Sequence, residues 1–333
     1  MRKAQIITLS VIFFTACFAC RRDEQKDLPV VLTSAASEVT ANSAKVGGEI
    51  TVDGSSEITA RGVYWGETDN LPEAGEKLEI GKGTGEFSAF VEGLEKRTTY
   101  YFKAFATNKN GTAYGEVKSF KTTLFTYGEG LKDRDGNYYK SIIIGDQEWM
   151  ASNLKVTNYR NGDPIPGVRP DDQWESLSSG GYIWYDHDSA TLGDQYGALY
   201  NWHAVNDERR LCPEGWRIPK KEDWEELIEY LGGEDMAGGK MKSTRTFPDP
   251  HPRWDDPNTG SSNISGFSGF PAGYREKLGR FVHLGERGFW WSATEHQVSE
   301  TMAVNAVLNS DSQSILFLFS SKNRGCSVRC IKE

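Results

Sequence analysis

The sequence predicts an all-β antiparallel sandwich over residues 29–124, followed by a second domain over residues 125–333 that mixes strands, long loops and two helices. Three observations carry this reading. From Pro29 to Thr123 the chain consists of short alternating runs rich in Val, Thr and Tyr, separated by Gly/Asn/Asp turns. After Phe125 the texture changes abruptly, because nine of the ten tryptophans and all five histidines lie beyond it. The 333 residues also exceed one typical domain and leave ample core for two.

In chain order, Arg2 and Lys3 precede an uncharged run from Ala4 to Cys20, the form of a secretory signal. Its apolar part, Ile6 to Ala16, is shorter than the roughly 20 residues a spanning helix needs. The segment Phe14-Thr15-Ala16-Cys17 resembles a bacterial lipobox, which implies a signal over residues 1–16 and an acylated Cys17 holding the chain to a membrane. Cys20, preceded by Ala19, is the competing acceptor, although Phe18 stands where a lipobox has a small residue. A secreted protein with two incidental leader cysteines is the alternative. Residues 17–28, charged from Arg21 to Asp27, read as a tether. A net charge of −9 and a pI near 5.3 argue against nucleic acid and against electrostatic contact with a membrane surface.

Five runs, SAKVGGEITV, ARGVYWGE, GEFSAFVEGL, TTYYFKAFATN and GEVKSFKT, with LPVVLTSAASEVT before them, supply the strands of the sandwich. Leu94, Thr98 and Tyr100 resemble the L-x-x-x-T-x-Y corner of fibronectin type III domains, in which the tyrosine hydroxyl ties down the loop entering the next strand. Asn108 to Gly111 reads as the turn that follows. Such sandwiches act as spacers or interaction modules, and this one has no Cys, His or paired-carboxylate constellation. In the second half the clearer helix starts near Pro219. Trp224, Leu227, Ile228 and Leu231 form its apolar face, and Gly232-Gly233 ends it with a left-handed cap.

The pieces DRDGNYYKSIIIGDQEWMASNL, YRNGDPIP, YGALYNWHAV, LCPEGWRIPKKEDW, GGKMKS, GFSGFPAGYR, FWWSATE and SVRCIKE run in order from Asp133 to the C-terminus. Together they resemble the Fibrobacter succinogenes major paralogous domain, a family of exported bacterial proteins. RIPKKEDWEELIEYLGG and SVRCIKE are also similar to the R-L-P-T-E-x-E-W-E helix and closing strand of formylglycine-generating enzymes. That likeness implies a C-type-lectin-like, α+β architecture with long loops on a small sheet. Lys220 departs from the pattern, which has the N-cap threonine there; losing a cap costs about 1 kcal/mol.

Beyond the leader there are three cysteines, and an exported chain is expected to oxidise its thiols. Cys326 and Cys330 share one face of a terminal strand, so either can face the helix. The resemblance, in which the cysteine of V-R-C is the regular one, implies a Cys212–Cys330 disulfide and leaves Cys326 as an extra buried thiol. The related enzymes depend on a cysteine pair just before the final strand, whereas Arg280 to Asn323 contains none, so no catalytic residue is assigned. GFSGF lacks the last glycine of a nucleophile elbow, and GGEDMAGGKM is one position out for a phosphate loop and reads as helix ends and turns. Asp186-His187-Asp188 is the best metal-like triplet and reads as a solvated loop, so no metal or cofactor is expected. DRDGN, at Asp133 to Asn137, resembles only the opening of a calcium loop and reads better as a hairpin turn on Asp135-Gly136.

Aromatic residues are the remaining signal. Trp254 with Asp255 and Asp256, and Trp290-Trp291 with Glu295 and His296, pair stacking surfaces with hydrogen-bonding groups, as ligand sites do. Neighbouring Trp290 and Trp291 point to opposite faces of a strand, so one of them is expected to be exposed or under a loop. The resulting expectation is a lipid-anchored lipoprotein of the bacterial outer membrane or cell surface, facing outward or into the periplasm. Its second domain would bind a glycan or a surface protein without catalysis. The alternatives are a structural adhesin or surface-assembly component and, third, a degenerate or unrecognised enzyme.

Overall fold

A computed structural model describes residues 27–333; the signal, Cys17 and Cys20 lie outside the described residues. Strands Val30–Thr33, Ser43–Val52 and Gly85–Glu92 form one antiparallel sheet. The facing sheet runs Glu76–Gly81, Ala60–Gly66, Thr99–Asn108 and Gly111–Tyr114, with Lys118–Lys121 also pairing Thr99–Asn108. This is the strand order of a fibronectin type III sandwich. Inward positions such as Val46, Val63, Phe102 and Ala104 form its core, as period-two alternation requires. The Tyr100 hydroxyl accepts a hydrogen bond from the Glu95 backbone N–H at 3.0 Å, the tyrosine corner. The strand EKLEIG is absent from the sequence reading because it lies at a sheet edge with only Leu78 and Ile80 half-buried, so its hydrophobic signal is weak.

Backbone hydrogen bonds hold the two domains at their junction. Ala41 N–H donates to the Phe125 carbonyl at 2.7 Å and Leu124 N–H to the Ile264 carbonyl at 2.9 Å. The second domain has the expected long loops and more strand than helix, but its strands build two five-stranded sheets where one small sheet was expected. One five-stranded antiparallel sheet runs Trp216–Arg217, Ile331–Lys332, Gln147–Met150, Ser141–Ile144, Phe125–Tyr127, so the last strand lies between early ones. A second runs Phe281–Leu284, Ala272–Arg275, Arg287–Glu295, Met302–Asn309, Ile315–Ser321. Strands such as Met302–Asn309 are buried on both faces, which erases the alternation that would mark them in sequence.

The main helix spans Lys221–Tyr230 and buries Trp224, Leu227 and Ile228 against both sheets, with Leu231 buried at its end. The threonine missing at Lys220 is replaced from elsewhere. Thr294 Oγ1 accepts the Lys221 N–H at 2.9 Å, and Asp223 accepts the Lys220 N–H at 2.6 Å, so two of the helix's free N–H groups are satisfied. GGEDMAGGKM, read as helix ends and turns, contains a second helix, Glu234–Met241. Glycine disfavours helices by about 1 kcal/mol. Here a Cβ on Gly238 would lie 2.3 Å from the Ser314 carbonyl oxygen and one on Gly239 2.4 Å from that of Gly260, so close backbone packing requires both.

Candidate functional site

The structure overturns the two tryptophan clusters as stacking surfaces. Trp254, Trp290 and Trp291 are each 0% exposed. Trp290 and Trp291 do point to opposite faces of their strand, but each face is covered by its own core, so neither ring reaches solvent. Each indole N–H has a buried acceptor: Asn153 Oδ1 for Trp290 at 2.8 Å, the Tyr200 carbonyl for Trp291 at 2.8 Å and the Gly269 carbonyl for Trp254 at 2.9 Å. Asp255 and Asp256 remain exposed without an exposed tryptophan beside them. Glu295 pairs with Lys322 at 3.2 Å, and His296 packs edge-on against Phe319 while its Nδ1 accepts the Ser299 N–H at 2.9 Å. These residues are not brought together as a site.

Several family-motif residues that carry charge are structural. The buried Arg329 guanidinium donates to Asn153 Oδ1 at 3.0 Å and to the Phe267 carbonyl, and lies 4.0 Å over the Phe267 ring. Asn153 also donates to the Tyr196 carbonyl at 2.8 Å, so one amide ties the segment after Gln147–Met150 both to Tyr196 and to Arg329, just before the last strand. Buried Lys242 donates to the carbonyls of Asn309 and Ser312 at 2.9 and 2.8 Å, and burial pulls its pKa down to about 8. Arg275 is held by the Val168 and Arg169 carbonyls and by Asp171, each at 2.7 Å.

Cys212 and Cys330 form a disulfide at the entry to the main helix. Arg160, in the YRNGDPIP piece, clamps that loop by donating to the carbonyls of Cys212 and Pro213 at 2.7 Å and of Trp216 at 2.5 Å. Cys326 stays a free, fully buried thiol, and burial pushes its pKa up to about 12, away from the reactive thiolate.

An aromatic and acidic recess does exist, at residues the tryptophan clusters do not include. Trp184 is half-exposed, and Tyr182 meets it edge-on with ring centroids 5.6 Å apart. One side of the indole is covered by Gly193, whose added Cβ would lie 2.5 Å from the ring. Asp135, Asn137, Lys155, Thr157, Ser189 and Asp194 complete a recess of about 280 Å³. Lys155 and Asp194 pair at 2.6 Å across it. The DRDGN hairpin builds one wall. Asp133 accepts from Asp135 N–H, Asn137 N–H and the Tyr139 hydroxyl, while Asp135 accepts from Thr157 and Asn158, so both carboxylates are held by protein donors. Of the Asp186-His187-Asp188 triplet, Asp188 caps the next turn through the Ala190 and Thr191 N–H groups, and the Thr191 N–H lowers its pKa. His187 packs on Phe281, and the three side chains do not converge.

The recess therefore places an indole edge and face beside the paired Lys155 and Asp194, the protein-held Asp135 carboxylate, the Asn137 amide and the Thr157 and Ser189 hydroxyls. The sequence signal that could have located it is Trp184, two residues before the Asp186 triplet and adjacent in sequence to Ile183-Tyr182.

No curated protein matches the chain. Among solved structures the chain is similar to the sensor domain of the anti-sigma factor RsgI4 from Pseudobacteroides cellulosolvens, at 26% identity over 28% of this chain and 93% of that one, with a TM-score of 0.25. It is also similar to the sixth fibronectin type III domain of human fibronectin type III domain containing protein 3, at 23% identity over 29% and 81% of the two chains, with a TM-score of 0.22. The motif pieces from Ile142 to Lys332 fall within a single family model, that of the Fibrobacter succinogenes major domain, which matches residues 142–332, more than half of the chain, and the chain belongs to that family.

Proposed function

We propose that the protein is a lipid-anchored lipoprotein of the bacterial envelope whose second domain binds a glycan without catalysis, with the sandwich as its spacer. The recess at Trp184 carries this reading, because it combines a half-exposed indole with carboxylate, amide and hydroxyl groups in one concave surface. A C-type-lectin-like architecture for this domain is supported by the last strand, Ile331–Lys332, lying beside Gln147–Met150, and by its disulfide to the start of the main helix. The recess is small, so binding is expected to be weak for one site and to gain from repeated epitopes.

Full-length protein in detergent, applied to a glycan array, is expected to retain a defined set of glycans. Trp184→Ala should weaken that binding about tenfold, about 1.4 kcal/mol, with the far-ultraviolet circular dichroism unchanged. Equal binding by the variant, or no glycan retained by the wild type, overturns the reading. For the anchor, mass spectrometry of the mature N-terminus is expected to find lipid on Cys17. Lipid on Cys20 would move the acceptor, and an unmodified N-terminus beyond residue 20 would remove the anchor.

The second reading, an adhesin or surface-assembly component, is favoured by the edge strand Ile315–Ser321, which leaves Leu316, Leu318 and Phe319 exposed beside an edge that is unpaired among the described residues. Retention of envelope proteins in place of glycans on a mixed array would decide for it.

A further inference from the structure

A second cavity, of about 520 Å³, lies over the Cys212 loop, and its charge is unlike that of the chain. The protein carries a net charge of −9, yet this cavity is lined by Arg160, Arg210, Arg217 and Lys220 against the single carboxylate of Glu333. Arg217 is spoken for, since it grips Asp223 with two bonds at 2.6 and 2.7 Å, and Arg160 commits Nε and Nη2 to the Cys212, Pro213 and Trp216 carbonyls, contributing its charge to the cleft. Arg160 and Arg210 are held side by side by the backbone, the Arg160 N–H donating to the Arg210 carbonyl at 2.8 Å. Their guanidinium groups share Glu333 at 3.9 and 3.7 Å, beyond hydrogen-bond distance. Arg210 adopts a left-handed conformation, φ +60°, which a residue with a side chain rarely takes. Burial, and then the like charge of Arg210, hold the Arg160 pKa below the usual guanidinium value. The remaining lining is largely aliphatic, from Val205, Leu211, Ile218 and Ala293, with Trp216 buried in the wall.

We propose that this cleft binds an acidic peptide segment of a protein partner, a ligand carboxylate bridging Arg210 and Lys220 within the field of Arg160, while an adjacent aliphatic side chain fills the apolar floor. Guanidinium forks match a carboxylate bidentately and gain most where water is partly excluded. An aliphatic floor with no exposed aromatic face suits a peptide side chain better than a sugar ring, which distinguishes this cleft from the recess at Trp184. The two sites rest on separate residues.

The test is fluorescence polarisation of the full-length protein in detergent with a labelled acetyl-Leu-Asp-Val-Glu-Leu-amide peptide, beside its Asn/Gln counterpart. The acidic peptide is expected to bind at least tenfold more tightly, with affinity falling as salt rises. Arg210→Glu with Lys220→Glu, both exposed side chains, should weaken binding tenfold or more with unchanged circular dichroism, whereas Trp184→Ala should leave it unaltered. Equal binding of the two peptides overturns the proposal. So does undiminished binding by the double variant, or displacement of the peptide by a polyuronate fragment at lower concentration than by unlabelled peptide.

Discussion

The double variant Cys212→Ala/Cys330→Ala is expected to lose about 3–5 kcal/mol of stability in the second domain. The bridge joins residues 118 apart in sequence. For a closed loop of that size, chain entropy in the unfolded state corresponds to about 4–5 kcal/mol, and removing a native bridge typically costs about 2–5 kcal/mol. Against a domain stability of about 5–15 kcal/mol this is a large share. The sandwich contains no cysteine, so in denaturant only the transition of the second domain should move, and the transition of the sandwich serves as the internal control. Replacing both cysteines avoids a rescue pairing between Cys212 and the free Cys326. Non-reducing peptide mapping of the wild type should yield the 212–330 peptide. Recovery of freely alkylated Cys212, or a shift below 1 kcal/mol in the variant, would contradict the account.

Asn153→Leu is expected to cost about 3–5 kcal/mol, as breaking one side of a buried charged network does. The amide oxygen of Asn153 accepts from Trp290 Nε1 at 2.8 Å and from Arg329 at 3.0 Å, and all three side chains are buried. Leucine would leave the Trp290 N–H unpaired and Arg329 with the Phe267 and Ser268 carbonyls alone. No carboxylate accepts a hydrogen bond from Arg329 among the described residues, and burial holds its pKa down. Asn153→Asp keeps the acceptor and adds a countercharge to Arg329, while it turns the amide donor toward Tyr196 into a lone pair. The aspartate variant should therefore lose less than the leucine variant in urea unfolding followed by tryptophan fluorescence. Equal losses for the two would show that side-chain volume, and not the acceptor, matters at this position.

Local chemistry was enough to read several features directly from the chain. The alternation in SAKVGGEITV and TTYYFKAFATN places the sandwich core, because a half-buried strand must show period two. Trp224, Leu227 and Ile228 mark the buried face of the main helix, since a 3.6-residue period leaves few other arrangements. Gly136, at φ +86°, turns the DRDGN hairpin as the sequence suggests. The Cys212–Cys330 pairing was legible only through family likeness, because spacing alone leaves Cys326 and Cys330 on the same face.

The candidate site was not legible in this way. Trp184, Trp254, Trp290 and Trp291 are chemically identical in sequence, each beside or near polar residues, and whether an indole faces ligand or core depends on what covers it. Separate cores on the two faces of Arg287–Glu295 hide two of them, while a turn at Gly193 covers only one side of Trp184. The helix cap supplied by Thr294, the like-charged pair Arg160 and Arg210, and the hub at Asn153 all join residues far apart in the chain. The sequence by itself determined the alternating strands of the sandwich and the main helix with their inward faces, because those depend on interactions between near neighbours. Only the tertiary structure decided which aromatic rings and cations remain free to meet a ligand, because burial and charge compensation are set by segments that the chain order does not bring together.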